Sequence, residues 1–483
     1  PRPADPAALA EIETVLAGLA RARAMKASGH RTEALEVAEA ALAQAARLQF
    51  PPLKLEAEWL LATFDLERGS LDKAIEVGMT LAWRAEALRL DDLVATIRLE
   101  LAEQAVGEWS RPDRERWLLS GAEAALARVG ADADGPDLRL QLLQGRLQRT
   151  RGDVASAVRT LRSAVALAQE AELTGLTVRL RIELGRAFLD QTELSSAREQ
   201  FRTARRLADS VFGRTSVPVA SAEFNLGLVA LAFGDLEGAE RHNDLASETY
   251  RFVVGRYSLG FGLCEMTRAK LAMNRAAFDE GLAHADSAVD IFSRVVGNHA
   301  LETAQAYGAR GVFKYFLGHH EASIADYERA HSGFERLLGA RSTEAALVSS
   351  NIGESRLALA QPELAVSRFD SAVASIRSSH GDDHPLLAVP YKGQGLALLA
   401  VGRPRAAVAS FERSLAIHAA HPGEPFEAAE TRYALARALA ATDPASSRAI
   451  AQAAAEEFAS LRAAARVEEV QTFMQQQSRR AKR

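Results

Sequence analysis

Gly234-Asp235-Leu236-Glu237-Gly238-Ala239 reads as a turn followed by the opening of a helix, and its last residue begins a series. At 42-residue intervals after Ala239 come Gly281, Ser323, Ala365 and Ala407, all small. Seven residues further on stand Ala246, Ala288, Ala330, Ala372 and Ser414, and twelve residues before the series stand Gly227, Ala269, Gly311, Gly353 and Gly395. A seven-residue step returns to one helical face. The twelve-residue offset crosses the turn, so each unit reads as two helices meeting through small side chains. Gly213, Gly255, Gly297, Gly339, Gly381 and Gly423 keep the same 42-residue beat. They are expected to end the second helix of each pair, since glycine accepts the left-handed backbone that closes a helix. A fixed period of this size belongs to a stacked repeat rather than to a globular enzyme.

The pattern continues upstream at Ala34, Ala74, Ala157 and Ala197, whose separations of 40, 83 and 40 leave room for one degenerate repeat between Ala74 and Ala157. Their companions are Gly145, Gly185, Ala41, Ala164 and Ala204. With a last degenerate unit near Ser447 the count is about eleven helix pairs. Turns are expected at Gly29-His30, Gly69-Ser70, Gly152-Asp153, Gly234-Asp235, Gly318-His319 and Gly402-Arg403, and a first helix near Pro6, a residue suited to the first helical position. Two stretches break the rhythm, Glu108 to Trp117 and Ala131 to Pro136, so a seam is expected near 108–136. A helix over Ser446 to Ala465 is expected to cap the stack. For the basic tail Gln475 to Arg483 two readings stand: a frayed, solvated terminus, or a contact with nucleic acid or membrane.

Small residue, Ala and Ala at these offsets resemble the signature of the tetratricopeptide (TPR) repeat, over roughly residues 7–460. The 42-residue period, longer than the usual TPR length, resembles the repeats of kinesin light chain, as do Gly318-His-His-Glu-Ala-Ser-Ile-Ala-Asp-Tyr-Glu-Arg-Ala330 and Gly381-Asp-Asp-His-Pro385. Trp117-Leu-Leu-Ser-Gly-Ala-Glu-Ala-Ala-Leu-Ala-Arg-Val-Gly130, followed by such repeats, is similar to the TPR tails of bacterial serine/threonine protein kinases. The resemblance implies an all-α, TPR-type right-handed α-solenoid of about eleven helix pairs plus a C-terminal capping helix. Three regions are expected: degenerate repeats over 1–130, a regular superhelix over 131–443, and the capping helix with its basic tail over 444–483.

Composition bounds the function. Hydrophobic residues are 48% of the 483 and aromatics 6%, the balance of interfaces closed by Ala and Leu rather than by rings. The net charge of −5 gives no reason to expect nucleic acid or an anionic membrane as partner. Cys264 is the single cysteine, which excludes an internal disulfide and a multi-cysteine zinc site and fits a reducing, cytoplasmic setting; it is expected to be a small helix-packing residue. No apolar run reaches the roughly 20 residues that span a bilayer. The chain starts Pro1-Arg-Pro without methionine, which is expected of a portion of a longer polypeptide. Kinase motifs and a P-loop are absent, and Gly260-Phe-Gly262 is a G-x-G inside a helical repeat, not a phosphate cradle. His319-His320 sit at a turn, and His380 and His384 flank Gly381 ahead of Pro385, so neither pair is expected to share a helical face and bind metal. No cofactor, metal or catalytic residue is expected.

By resemblance, the concave groove of a TPR protein is lined mainly by the first helix of each pair, at its second and ninth positions. Counting Gly145 or Gly185 as eighth, the second position holds Arg98, Arg139 and Arg179, and the ninth Arg146 and Arg186. These positions are seven apart on one face, so five guanidinium groups form either a stripe for the carboxylates of a partner or an arginine surface paired internally with residues such as Glu103 and Glu183. In the regular half the fifth, sixth and ninth positions present Asn225, Lys270, Asn351 and Lys392, which by resemblance hold the backbone and carboxylate of a peptide. They are scattered, with Phe224, Met266 and Gly308 at equivalent fifth positions, so the full carboxylate clamp is missing. The expected function is a non-catalytic scaffold that binds a peptide or protein segment, acidic in character, in that groove. It could serve as the recruiting or regulatory region of a larger bacterial kinase. The alternative is a ligand- or peptide-sensing solenoid whose curvature controls an attached effector.

Overall fold

The computed structural model describes residues 5–27, 31–48, 50–66, 71–105, 112–129, 134–423 and 425–481. Its helices follow one another in pairs: α1 (Pro6–Ala27) with α2 (Arg31–Arg47), α3 (Pro51–Leu66) with α4 (Leu71–Ala87), α5 (Asp91–Ala105) with α6 (Pro112–Val129), and α7 (Asp134–Thr150) with α8 (Val154–Glu170). Next come α9 (Thr174–Asp190) with α10 (Leu194–Phe212), α11 (Val217–Ala232) with α12 (Leu236–Val253), and α13 (Leu259–Asn274) with α14 (Phe278–Val295). The last pairs are α15 (Leu301–Phe316) with α16 (His320–Leu338), α17 (Thr343–Ala358) with α18 (Pro362–His380), α19 (Ala388–Ala400) with α20 (Pro404–Ala420), and α21 (Pro425–Leu439) with α22 (Pro444–Ser460). A further helix, α23 (Ala464–Ala481), closes the series. Among the described residues there is no strand. The helices gather into two compact units, Pro1–Leu271 with Asp290–Val296, and Ala272–Val289 with Gly297–Arg483.

In five of the pairs the small residue of the first helix is a socket. A Cβ on Gly145 would lie 2.5 Å from the Leu161 side chain, and one on Gly185 2.5 Å from the Phe201 ring. In the second unit Gly311 meets Tyr327, Gly353 meets Phe369 and Gly395 meets Phe411 in the same way, at 2.6, 2.8 and 2.5 Å. In all five the large side chain stands 16 residues after the glycine, on the paired second helix. Phe201, Tyr327, Phe369 and Phe411 are among the largest fully buried side chains. A missing side chain on one helix thus admits a ring from the other, and burying such a ring contributes about 1.5–3 kcal/mol.

The two turns of each repeat also follow the period. Gly213, Gly255, Gly297, Gly339 and Gly381 all have positive φ, between 79° and 100°. Gly423 does not: α20 ends at Ala420 with His421 as its cap, and Pro422 stands between that cap and the glycine, so the sixth member keeps the spacing and loses the conformation. The inner turns form a second 42-residue series at Thr192, Gly234, Ala276, Gly318, Ala360 and Gly402, with φ of 60°, 78°, 54°, 79°, 54° and 77°. Only the glycine members of that series were legible beforehand. The expected turns at Gly29-His30 and Gly69-Ser70 lie outside the described residues, as do 108–111 and 131–133 of the two expected interruptions.

At the C-terminal end the helix expected over 446–465 divides differently. Pro444–Ser460 is α22, the partner of α21, with Asp443 as N-cap accepting from the Ser446 amide. The additional helix is α23, which takes in most of the residues read as a frayed tail. Val470 is fully buried against the α21–α22 pair, Phe473 meets Tyr433 edge-on at 5.6 Å, and Gln477 donates to Ser447 Oγ at 2.8 Å. These apolar contacts explain why the tail is helical.

Candidate binding face

In the first unit the first helices of successive pairs touch directly, α5 on α7, α7 on α9 and α9 on α11, and a ladder of polar side chains runs across them. Trp59 on α3 donates its indole N–H to Glu100 on α5 at 2.9 Å. Arg139 on α7 donates through Nε to Glu103 on α5 at 3.0 Å, and Arg179 on α9 comes within 3.3 Å of the same oxygen. Glu183 on α9 is surrounded by Arg146 and Arg149 of α7 at 3.6 and 3.8 Å and by Arg186 of its own helix at 2.9 Å. Arg186 also donates through Nε to Asn225 Oδ1 on α11 at 3.1 Å, and Asn225 Nδ2 donates to the Ser221 carbonyl at 2.6 Å.

The carboxylates organise this face. Burial would raise the pKa of Glu103, but hydrogen bonding from Arg139 and the charge of Arg179 outweigh it and hold the carboxyl below the ordinary range. Glu183 behaves alike: burial is opposed by Arg186, Arg146 and Arg149, and the balance is downward. Glu100 goes the other way, pushed up by burial that Arg139 and the Trp59 hydrogen bond only partly offset. A guanidinium carries five N–H donors, so one bond to a buried carboxylate orients each arginine and leaves further donors. Arg179, at 45% side-chain exposure, is the most open of the five expected groups.

Of those five, Arg139, Arg146, Arg179 and Arg186 come together here and Arg98 does not. Arg98 donates to Glu86 on α4 at 2.8 Å and to the Gly121 carbonyl on α6 at 3.2 Å, bracing second helices. It stands five residues before Glu103, roughly 140° round the helix. The degenerate repeat shifts the register, so the face of α5 that joins the ladder carries Glu100 and Glu103 instead. Arg149, Trp59 and Glu100 escaped the sequence reading. The signal for Arg149 was its place three residues after Arg146, on the same face.

The remaining expected residues are dispersed. Lys270 is exposed on α13. Asn351 is half-buried on α17, its carbonyl accepting from Ser355 Oγ at 3.0 Å. Lys392 on α19 is ion-paired with Glu427 on α21. Glu354 on α17 joins that pair electrostatically, its carboxyl raised by burial, with Lys392 opposing and Glu427 adding to the rise. The second unit therefore repeats, on α17, α19 and α21, a smaller ladder between first helices.

Cys264 is buried on α13, where burial pushes its thiol up to about 12. Gly260 and Gly262 lie under the rings of Tyr250 and Phe292, each 2.5 Å from where a Cβ would stand. His380 and His384 do meet, with ring centroids 4.3 Å apart, because the loop after α18 folds back. His384 Nδ1 accepts from the Leu386 amide at 3.3 Å and caps a short 3-10 turn, Pro385–Leu387. Among the described residues no group of three or more His, Cys, Asp or Glu side chains is arranged to hold a metal ion. No helix among them is long and apolar enough to cross a membrane.

Residues 342–420, which carry the two complete pairs α17–α18 and α19–α20, match the family model of the tetratricopeptide repeat. Over those residues the chain carries tetratricopeptide repeats. Its TPR fold is similar to two solved structures. The apo form of the quorum sensor NprR from B. thuringiensis is 12% identical with a TM-score of 0.52, covering 75% of this chain and 97% of its own. The apo form of RapI is 14% identical with a TM-score of 0.50, covering 80% of this chain and 98% of its own. At these identities the likeness is one of fold: TPR helix pairs in sequence over most of the chain. No curated protein sequence matches the chain significantly.

Proposed function

We propose that this TPR chain is a non-catalytic scaffold that binds a peptide or protein segment against the first helices of its repeats, centred on α5, α7, α9 and α11. The observation that carries the reading is the sharing of Glu103 by Arg139 and Arg179, which come from different helices and are fixed by one carboxylate. Guanidinium groups held in this way lose less side-chain entropy when a ligand carbonyl or carboxylate arrives. The acidic character of the partner rests on the four arginines and is tempered by Glu103 and Glu183, so the face suits a segment mixing backbone carbonyls with a few carboxylates rather than a polyanion.

The attachment of the chain to a bacterial serine/threonine kinase, with the solenoid tethering substrate, rests on sequence resemblance at Trp117 to Gly130 and is the finer part of this proposal. A second reading, a peptide sensor controlling an attached effector, draws support from the fold shared with NprR, described as a quorum sensor.

The test is affinity capture from native extract with the chain as bait beside a variant carrying Arg146→Ala, Arg179→Ala and Arg186→Ala, with circular dichroism to confirm equal helicity. A partner lost with the variant supports the first-helix face. Equal capture by both baits places binding elsewhere.

A further inference from the structure

A second polar site lies on the other side of the repeats, between the second helices α10 and α12 and over α11, as an open pocket of ≈ 680 Å³. It shares no residue with the ladder of first helices. Arg198, Arg202, Arg205 and Arg206 of α10 all line it, at spacings of four, seven and eight residues from the first. Such spacings repeat on one helical face, so the four guanidinium groups run along roughly 12 Å of one wall, eight residues at about 1.5 Å each.

The base is built rather than incidental. Glu223 on α11, only 4% exposed, takes an ion pair from Arg205 and a 2.7 Å contact from His242 Nδ1 on α12, which ties the two walls together across one carboxylate. That acid is thereby satisfied inside the protein. Arg198 is seated over the Phe233 ring at 5.0 Å. Arg202 and Arg206 are exposed, and among the described residues neither has a carboxylate within ion-pair distance. Positive charge is in excess there. Burial lowers the pKa of neighbouring Arg181, Glu199 pulls it back and Arg206 presses it down again. Arg181 Nε is buried with no hydrogen-bond partner.

We propose that the α10–α12 pocket is a second binding site, on the second-helix side of the repeats, for a short acidic peptide segment in extended conformation. Its length fits: an extended chain advances about 3.3 Å per residue, so the arginine row spans three to four residues. Its chemistry fits as well. Guanidinium groups pair with carboxylates bidentately, while exposed Leu245 in the lining offers apolar surface to intervening side chains. Glu199 and Glu223 in the same lining disfavour a uniformly charged strand, which sets a peptide above a nucleic-acid backbone. The pocket volume lies within the usual several-hundred Å³ of ligand sites.

The experiment uses the whole chain and a fluorescein-labelled peptide of alternating Glu and Leu, with the matching Gln-Leu peptide and a single-stranded oligodeoxynucleotide as comparisons, read by anisotropy. Saturable binding of the Glu peptide alone is expected, weakened roughly tenfold or more by Arg202→Glu with Arg206→Glu. A smaller loss is expected from the neutral pair Arg202→Gln with Arg206→Gln, which, like the first, alters only exposed positions. Binding that is lost on Arg146→Ala with Arg186→Ala, and kept on both Arg202/Arg206 changes, would assign the peptide to the first-helix ladder and overturn the proposal, so the two sites fail or succeed separately. No saturable binding at millimolar peptide, indifference to both Arg202/Arg206 variants, or tighter binding of the oligonucleotide would overturn the proposal.

Discussion

Arg179 on α9 reaches past α7 to the Glu103 carboxylate on α5, 3.3 Å away, where Arg139 of α7 is already bound at 3.0 Å. Glu103 thus takes arginines from two further first helices, and a single carboxylate fastens three consecutive repeats.

Glu183 gives the ladder a pH signature. Its folded pKa is depressed, so its stabilising contribution is complete above the unfolded value of about 4.3 and is lost as pH falls through the lower folded value. Glu183→Gln, which leaves Arg146, Arg149 and Arg186 without their acid, should cost about 3 kcal/mol at neutral pH. Urea unfolding of both proteins from pH 7 down to pH 3 should show that difference shrinking in the acid range; a difference independent of pH would mean that Glu183 is not charged in the fold.

The sockets predict opposite outcomes for one substitution at two glycines of first helices. Gly353→Ala drives a methyl to 2.8 Å from the Phe369 ring and should destabilise by about 1–3 kcal/mol. Gly308→Ala meets only the Ala330 methyl at 3.8 Å and should be neutral or stabilise by up to about 1 kcal/mol through helix propensity. Thermal melts of the two variants side by side decide it, equal shifts counting against ring-in-socket packing.

Ala360 turns the chain between α17 and α18 with φ of 54°, a conformation its Cβ resists. Ala360→Gly should raise stability by roughly 0.5–1 kcal/mol, while Gly318→Ala, the reverse change in the equivalent turn, should lower it by a similar amount. Urea midpoints moving the same way in both variants would show that these turns are not held in the left-handed region.

Cys264 should be chemically silent in the native protein. It is fully buried, and with the thiol pushed up to about 12 almost no thiolate exists at neutral pH. Reaction with a thiol reagent should follow unfolding by urea; rapid labelling without denaturant would show that the packing around α13 opens locally.

The repeat register was legible because packing enforces it. Gly311, Gly353 and Gly395 recur since each must admit the ring of Tyr327, Phe369 or Phe411, and a 42-residue period repeats that demand. Ala276 and Ala360 were not legible as turns. Nothing in an alanine announces positive φ; the turn is imposed there by helices packed on either side. Arg98 shows the same limit at the site, since counting from a degenerate small residue places it about 140° from the face that its repeat presents.

The sequence by itself determined the helix pairs and their period, because packing within a pair recurs at constant separations along the chain, whereas the rings that fill the glycine sockets 16 residues on were found only in the structure. It also supplied Arg139, Arg146, Arg179 and Arg186 as a set. Only the tertiary structure decided what those arginines meet. Glu103 and Arg179 are 76 residues apart, and Arg205 and His242 converge on Glu223 from opposite sides in chain order. Such pairings depend on how one repeat leans on the next. Side chains on different helices set that lean jointly, and no periodicity along a single chain encodes it.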